Sequence, residues 1–255
     1  GSVIWYSWTN HEILVLLIKR IETFFGRFVD ESLLLRKTPA QLANYLRPVM
    51  EPRFTGQGHW INAPLYRVLM SLIRKRPRDL IKLCTAAARQ AFLTKSHIIQ
   101  TKHLKSVFED YSQGRIQDTM NEYRSELHDI ERLLMGMKPN KKEKTAKQGY
   151  CYTTEQLFAK IDNINQSGNF TFSNRKSISD KKELANFLYK INFLTARKVL
   201  PDGEIQRKYF EENRYLSNKF VDFGYEWEVH PAYRWALQPD SLDDLFATIN
   251  LSSDE

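Results

Sequence analysis

A short basic segment holds the side chains best suited to chemistry in this sequence. Four basic residues stand within five positions, Arg74, Lys75, Arg76 and Arg78. Proline between the last two predicts that a helix starts here. A guanidinium group at the start of a rigid helix suits the bridging of a phosphate held by a neighbouring domain. Asp79, in the first turn of that helix, is predicted to hold Arg76 or Arg78 in place.

The usual catalytic motifs are missing from the sequence. His11-Glu12 begins like a zinc-protease helix but lacks the second histidine one turn later, and no Gly-Lys-Ser or Gly-Lys-Thr loop occurs. Cys84 and Cys151 lack metal-type spacing. We therefore predict no catalytic residue, no metal site and no cofactor within these residues. A helical nuclease built around Arg124 and His128, one turn apart, stays open as a third hypothesis.

Charge is distributed unevenly along the chain. Residues 1–149 carry 25 Lys and Arg against 14 Asp and Glu, a net charge of +11, whereas residues 150–255 carry 13 against 16, a net charge of −3.

The presence of only two cysteines fits a protein of the reducing cytoplasm. The apolar run Ile13 to Ile18 is too short to span a bilayer, so no membrane partner is predicted. Gly1-Ser2 is typical of a cloning remnant, and we interpret the chain as a fragment of a longer protein.

The first half has the pattern of successive helices. Thr9 or Asn10 can cap the first helix, and Thr38-Pro39-Ala40-Gln41 is a capping box with proline at the first helical position. Pro64 and Pro77 each open another helix, and a helical pattern from Thr101 to Met135 has a break suggested at Gly114. We predict one basic helical domain over residues 3–135.

The second half has a different character. A polar, Gly- and Pro-bounded stretch at residues 136–149 is predicted to be a linker. Helices near 153–164 and 180–191, a short strand at 169–173 and a hairpin turning at Pro201-Asp202-Gly203 indicate a winged helix-turn-helix over residues 150–239. Residues 240–255 form an acidic tail. The predicted fold class is mainly α, a helical bundle followed by an α+β winged-helix domain.

Three stretches resemble a stand-alone family of bacterial P-loop ATPases, with an arginine junction similar to that in the lid of AAA-like and signal-transducing ATPases. They are Trp8 to Ile21, the junction at Arg76-Pro77-Arg78, and Asp222 to Leu237. The resemblance implies a helical lid plus a winged helix, with Arg78 or Arg76 as the sensor of a nucleotide phosphate. It also implies a P-loop domain upstream of Val3 that binds ATP and magnesium. By analogy, such ATPases act as switches in signalling or antiphage systems.

The sequence is compatible with two kinds of binding partner, a protein and a nucleic acid. The winged helix of a switch ATPase can contact an effector protein, mediate self-association or autoinhibit, and the net charge of the second half favours that role. The alternative is nucleic-acid binding, with phosphate contacts from the basic half and from the predicted helix near 180–191, the candidate recognition helix of the winged helix. Its candidate residues are Arg74, Lys75, Arg76, Arg78, Lys82, Arg89, Lys95, Lys102, Lys105, Lys181, Lys182 and Asn186. Tyr225, Trp227, Tyr233 and Trp235 are interpreted as packing residues rather than base-stacking ones.

Overall fold

The computed structural model describes residues 7–145, 149–218, 224–237, 249 and 251. The chain divides into two compact units, one of residues 1–111 with 246–255 and one of residues 112–245. The sequence placed the division at the 136–149 stretch, whereas the compact units divide inside a helix. Most of the predicted acidic tail lies outside the described residues.

Helices make up the regular structure of the first unit. They are α1 (Asn10–Phe24), α2 (Glu31–Leu35), α3 (Pro39–Ala43), α4 (Leu65–Leu72), α5 (Pro77–Leu93), α6 (Thr101–Lys105) and the start of α7 (Phe108–Tyr123). The predicted caps are confirmed: the hydroxyl groups of Thr9 and Thr38 accept from the backbone N–H groups of Glu12 and Gln41, which complete capping boxes. Each cap satisfies amide donors that the first helical turn leaves without partners.

An aromatic group forms the centre of this unit. Trp60 is fully buried and packs edge-to-face on Phe54 and Phe108, at centroid distances of 5.6 and 6.1 Å. Nearby, the carboxylate of Glu51 accepts hydrogen bonds from the backbone N–H and the hydroxyl of Thr101. These contacts join the loop before α4 to the start of α6.

The stretch predicted as helical from Thr101 to Met135 contains three helices. They are α6, α7 and α8 (Ile130–Gly136), so the first break falls between Lys105 and Phe108. The break suggested at Gly114 is wrong, because α7 runs through it. A Cβ at Gly114 would meet nothing within 4 Å, so this glycine costs helix stability only through its backbone freedom.

The second unit combines helices with one antiparallel sheet. Its remaining elements are α9 (Lys141–Thr145), β1 (Cys151–Tyr152), α10 (Thr154–Asn165), α11 (Lys181–Lys190), β2 (Leu194–Val199), β3 (Ile205–Lys208), α12 (Tyr215–Asn218), β4 (Glu226–Val229) and α13 (Pro231–Leu237). The strand order is β1-β4-β2-β3, and neighbouring strands are antiparallel. Within the described residues, the protein is therefore mainly α with a small antiparallel sheet.

The hairpin turn between β2 and β3 is confirmed. The last paired residues are Val199 and Ile205, and Gly203 has φ +85°. The side chain of Asp202 accepts from the backbone N–H of Glu204 at 3.0 Å. Glycine supplies the left-handed backbone and aspartate the local hydrogen bond, as the turn chemistry requires.

The strand expected at residues 169–173 is wrong, because this segment is a loop. Arg132 lies over the ring of Phe170 at 3.8 Å, and its guanidinium donates to the carbonyls of Gly168 and Asn169 at 2.9 and 3.3 Å. A side chain thus binds the carbonyl of Asn169 at the start of this loop and that of Gly168 just before it.

The stretch predicted as a linker contains regular structure in its described part. Helix α9 lies within it, and Lys160 of α10 donates to the carbonyl of Lys138 and to the carboxylate of Glu143, both at 2.7 Å. Lys160 is buried. Residues 138–145 are therefore packed against α10 in the second unit, and residues 146–148 lie outside the described structure.

Three of the four aromatic residues interpreted as packing residues are buried in the second unit. Trp227, Tyr233 and Trp235 are buried, and Tyr225 is half-buried. The indole N–H of Trp227 donates to the hydroxyl of Thr154 at 2.9 Å.

In the part of the chain that the structure describes, no helix is long and apolar enough to cross a membrane.

Candidate functional site

The basic junction forms a tight corner between α4 and α5. Helix α4 ends at Leu72, whose carbonyl accepts a 2.7 Å hydrogen bond from the hydroxyl of Tyr111. Lys75 has φ +50°, an uncommon left-handed conformation for a residue other than glycine. Arg76 is extended and caps α5, and Pro77 is its first residue, as predicted. The backbone at this corner is therefore fixed on both sides.

A buried ion pair holds the corner together. The guanidinium of Arg74 donates to both carboxylate oxygens of Asp79, from Nε at 2.7 Å and from Nη2 at 2.9 Å. Both side chains are about as buried as core residues, at 2% and 1% exposure. The sequence analysis predicted Arg76 or Arg78 as the partner of Asp79, and the structure shows Arg74 bound to both of its oxygens. The chain reversal at Lys75 brings Arg74 back to the start of α5.

Arg78 lies on the exposed side of α5. At about 100° per residue, Arg78, Lys82 and Arg89 fall within about 40° of one another on the helix. The buried residues Leu80, Leu83, Ala87 and Ala91 occupy the opposite face. Arg78 and Arg89 are exposed, and Lys82 is half-buried. The only acidic residue of α5 is Asp79, which pairs with Arg74, so the charged side chains on this face of the helix are all basic.

The other basic candidates of the first unit are in varied environments. Lys95 and Lys102 are exposed, Lys105 and Arg76 are half-buried, and Arg74 and Lys75 are buried. Burial with Asp79 removes Arg74 from the basic residues that could contact a ligand.

His103 is also buried, and burial lowers its pKa. It accepts from the N–H of Gln100 and bonds the hydroxyl of Thr94, so it is a structural residue.

The candidate recognition helix α11 has few uncommitted lysines. Lys181 pairs with Asp162 at 2.6 Å and Lys190 pairs with Glu126 at 3.2 Å. Lys182 is exposed, and Asn186 is half-buried. Ion pairing reduces the number of side chains that α11 can offer to phosphates.

Arg124 and His128 line the same open groove in the second unit. The groove has a volume of about 570 Å³ and is also lined by Asp129, Glu131 and Arg132. Arg132 is committed to the carbonyls after α10. Among the described residues, no three His, Cys, Asp or Glu side chains converge as a metal ion would require.

Sequence reasoning missed a buried charge cluster in the sheet. Glu228 of β4 binds Arg207 of β3 at 2.6 Å and Arg234 of α13 at 2.5 Å, and Nε of Arg197 lies 3.7 Å from it. Burial by itself would raise the pKa of Glu228, but the three guanidinium groups outweigh burial and hold this pKa well below its usual range. Arg207 is buried although it lies in a stretch rich in charged residues, which is typical of a solvated surface. Its place two residues from buried Ile205 was the available signal.

Three phenylalanines at the end of α1 are exposed. The exposed fractions of Phe24, Phe25 and Phe28 are 86%, 45% and 96%. Arg27 lies over the ring of Phe25 at 4.9 Å and pairs with Glu22 at 2.6 Å. Contiguous exposed apolar groups rimmed by charges are typical of protein–protein contact sites.

The structure is that of a mainly helical protein. In its first unit, a buried ion pair holds the basic N-terminus of α5 in place. Residues 54–120 match the family model of the FunZ-associated C-terminal helical domain. The matched segment contains the aromatic centre, α4, the basic corner, α5, α6 and most of α7. No curated protein and no solved structure matches the chain.

Proposed function

We propose that the first unit is a non-catalytic regulatory module of a P-loop ATPase, to which Arg78 contributes a sensor of the nucleotide phosphate. ATP and magnesium would be bound by an N-terminal domain of the longer protein. The second unit, as a winged-helix domain, would contact an effector protein, self-associate or autoinhibit. The name of the matched family supports an accessory role, since it describes a C-terminal helical domain.

The neutralisation of Asp79 by Arg74 is the observation that carries this proposal. A carboxylate in the first turn of α5 would otherwise repel a phosphate at the same helix end. Because Arg74 binds both of its oxygens, the carboxylate of Asp79 opposes a phosphate near Arg78 less than an unpaired carboxylate would. The amide groups of the helix start add a further partial positive charge. Arg78 is preferred over Arg76 because Arg78 is exposed and Arg76 is half-buried.

The exposed phenylalanines of α1 support a partner domain for the first unit. A phosphate sensor acts only when another domain presents the phosphate, so the module needs a contact surface. Phe24, Phe25 and Phe28 provide an apolar surface of this kind on the same unit.

Replacing Arg78 by alanine in the full-length protein is expected to lower nucleotide turnover by roughly 10²-fold, the usual cost of losing one group that stabilises transition-state charge. The matched control is Arg89→Ala, which removes the same charge from the same face of α5 about 16 Å further along. The measurement is steady-state phosphate release, with circular dichroism to check folding. Equal turnover in the two variants would contradict the sensor role, as would a gene without an upstream Gly-Lys-Ser/Thr loop.

Nucleic-acid binding is the second candidate, favoured by the basic face of α5. If this face binds duplex DNA, affinity should fall linearly with the logarithm of salt concentration, and each lost phosphate contact should lower the slope by about 0.9. Arg89→Ala and Arg78→Ala should then reduce the slope equally in fluorescence anisotropy. A salt-independent affinity, or no binding at low salt, would eliminate this candidate without affecting the ATPase proposal.

A further inference from the structure

His103 occupies a position at the start of α6 that glutamate or glutamine usually fills. It is the third residue after the N-cap Gln100, and its Nδ1 accepts from the backbone N–H of Gln100 at 2.9 Å. In a capping box this bond is normally accepted by a Glu or Gln side chain. An imidazole nitrogen therefore takes the place of a carboxylate or amide oxygen at this helix start.

The other ring nitrogen joins the start of α6 to the end of α5. Nε2 of His103 lies 2.9 Å from the hydroxyl of Thr94, the C-cap residue of α5. That hydroxyl donates to the carbonyls of Gln90 and Ala91, at 3.0 and 3.1 Å, so its oxygen accepts the proton on Nε2. The ring is thus held in one neutral tautomer, with the proton on Nε2 and the lone pair on Nδ1.

A second proton on this ring would break the capping bond. Protonation places a hydrogen on Nδ1, opposite the backbone N–H of Gln100, and two donors cannot bond each other. The charge would also stand on a side chain that is only 2% exposed, where burial disfavours the charged form. The closed contact between α5 and α6 therefore requires the neutral ring.

Charged groups act on the ring from two elements. Burial is the largest cause that lowers the pKa of His103, Lys102 beside it on α6 lowers this pKa further, and Glu51 in the loop before α4 raises it. Glu51 is itself bound to the backbone N–H and the hydroxyl of Thr101. The end of α5 presents the uncharged Thr94 to the ring. Together these groups leave the pKa of His103 below its ordinary value.

We propose that His103 makes the contact between α5 and α6 an acid-sensitive joint, which opens when its ring takes up a proton. Below the ordinary histidine pKa of about 6.5, the opened form binds the extra proton and the closed form does not, so acid favours opening. The capping box of α3 in the same unit is completed by Gln41, which does not titrate. This inference is independent of the ATPase proposal, since it uses only contacts within the first unit.

The test uses the complete 255-residue chain and measures amide exchange in α6 from about pH 7.5 to about pH 5, corrected for the intrinsic exchange rate. Between about pH 6.5 and the folded pKa of His103, the opening equilibrium should rise about tenfold per pH unit. In His103→Gln the side-chain oxygen can accept from the same N–H without titrating, so the opening equilibrium should not depend on pH. The matched control is His97→Gln, at an exposed histidine outside α6, which should keep the wild-type pH dependence.

Amide exchange in α3 is the internal reference that separates local opening from unfolding of the whole unit. An opening equilibrium of α6 that is independent of pH in the wild type would overturn the proposal, as would equal pH dependence in wild type and His103→Gln. An equal rise of exchange in α3 and α6 on acidification would also overturn it.

A spectroscopic measurement covers the case in which His103→Gln does not fold. In the wild type, NMR of the ring nitrogens should show His103 protonated on Nε2 alone at neutral pH, with a titration midpoint below about 6.5. The amide shifts of α6 should change with the same midpoint. A midpoint at or above the ordinary histidine value, or α6 shifts that do not follow it, would overturn the proposal.

Discussion

Replacing Glu228 by glutamine is expected to lower the free energy of unfolding of the second unit by about 3–5 kcal/mol, the typical cost of breaking a buried ion pair from one side. The neutral amide would leave Arg207 and Arg234 buried without a counter-charge. These two residues lie on β3, which is two places from β4 in the sheet, and on α13, which follows β4, so the loss affects the contacts of β4 with both elements. Denaturant titration combined with amide exchange on peptides from β2 and β4 measures the effect.

The matched control for this substitution is Glu226→Gln on the same strand. Glu226 pairs with Arg197 at 3.0 Å, but its side chain is 48% exposed. An exposed pair contributes only about 0–1 kcal/mol. Equal destabilisation by the two substitutions would show that burial of the Glu228 cluster has no special weight.

The Glu228 cluster also predicts the response of the second unit to acid. In the unfolded chain the carboxyl has an ordinary pKa of about 4.3, whereas its pKa in the folded protein is lowered by the three arginines. Its stabilising effect is therefore complete above the unfolded pKa and is lost as pH falls through the folded one. Below about pH 4, wild-type stability should fall more steeply than that of Glu228→Gln.

Replacing Asp79 by asparagine is the second substitution with a large expected effect. Arg74 would be left buried without its carboxylate, and we expect the first unit to lose about 3–5 kcal/mol of stability. The corner at Lys75 should open with it, because Asp79 also accepts the backbone N–H of Arg74 at 3.3 Å. Amide exchange in peptides from α4 and α5 reports this opening directly.

The control for Asp79→Asn is Glu31→Gln in the same unit. Glu31 pairs with Lys19, and the two side chains are 56% and 39% exposed, so the loss should stay below about 1 kcal/mol. If Asp79→Asn left exchange in α4 and α5 unchanged, the Arg74–Asp79 pair would not be what fixes the corner.

The sequence predicted much of the local structure correctly. The caps at Thr9 and Thr38, the helix start at Pro77 and the turn at Pro201-Asp202-Gly203 all appear as expected. Each depends on hydrogen bonds or backbone angles within about four residues, so neighbouring sequence contains all the information required.

Long-range packing changed the predictions that depended on it. Residues 169–173 are of types common in strands, but they form a loop, and Arg132, more than 30 positions away, binds the carbonyls of Gly168 and Asn169 at its start. The compact units divide within α7 rather than at residues 136–149, where Lys160 binds the backbone of Lys138. No local pattern contains either partner.

The candidate site likewise combines features that the local sequence predicts with features that only the tertiary structure determines. The sequence by itself identified the basic junction and the proline that begins α5, because spacing and residue type are visible there. Only the tertiary structure decided that Asp79 binds Arg74, that Arg78 is exposed, and that Arg207 and Glu228 meet inside the sheet. The physical reason is that an ion's partner is chosen by burial: a charge removed from water requires the counter-charge that folding brings closest, whatever its position in the chain.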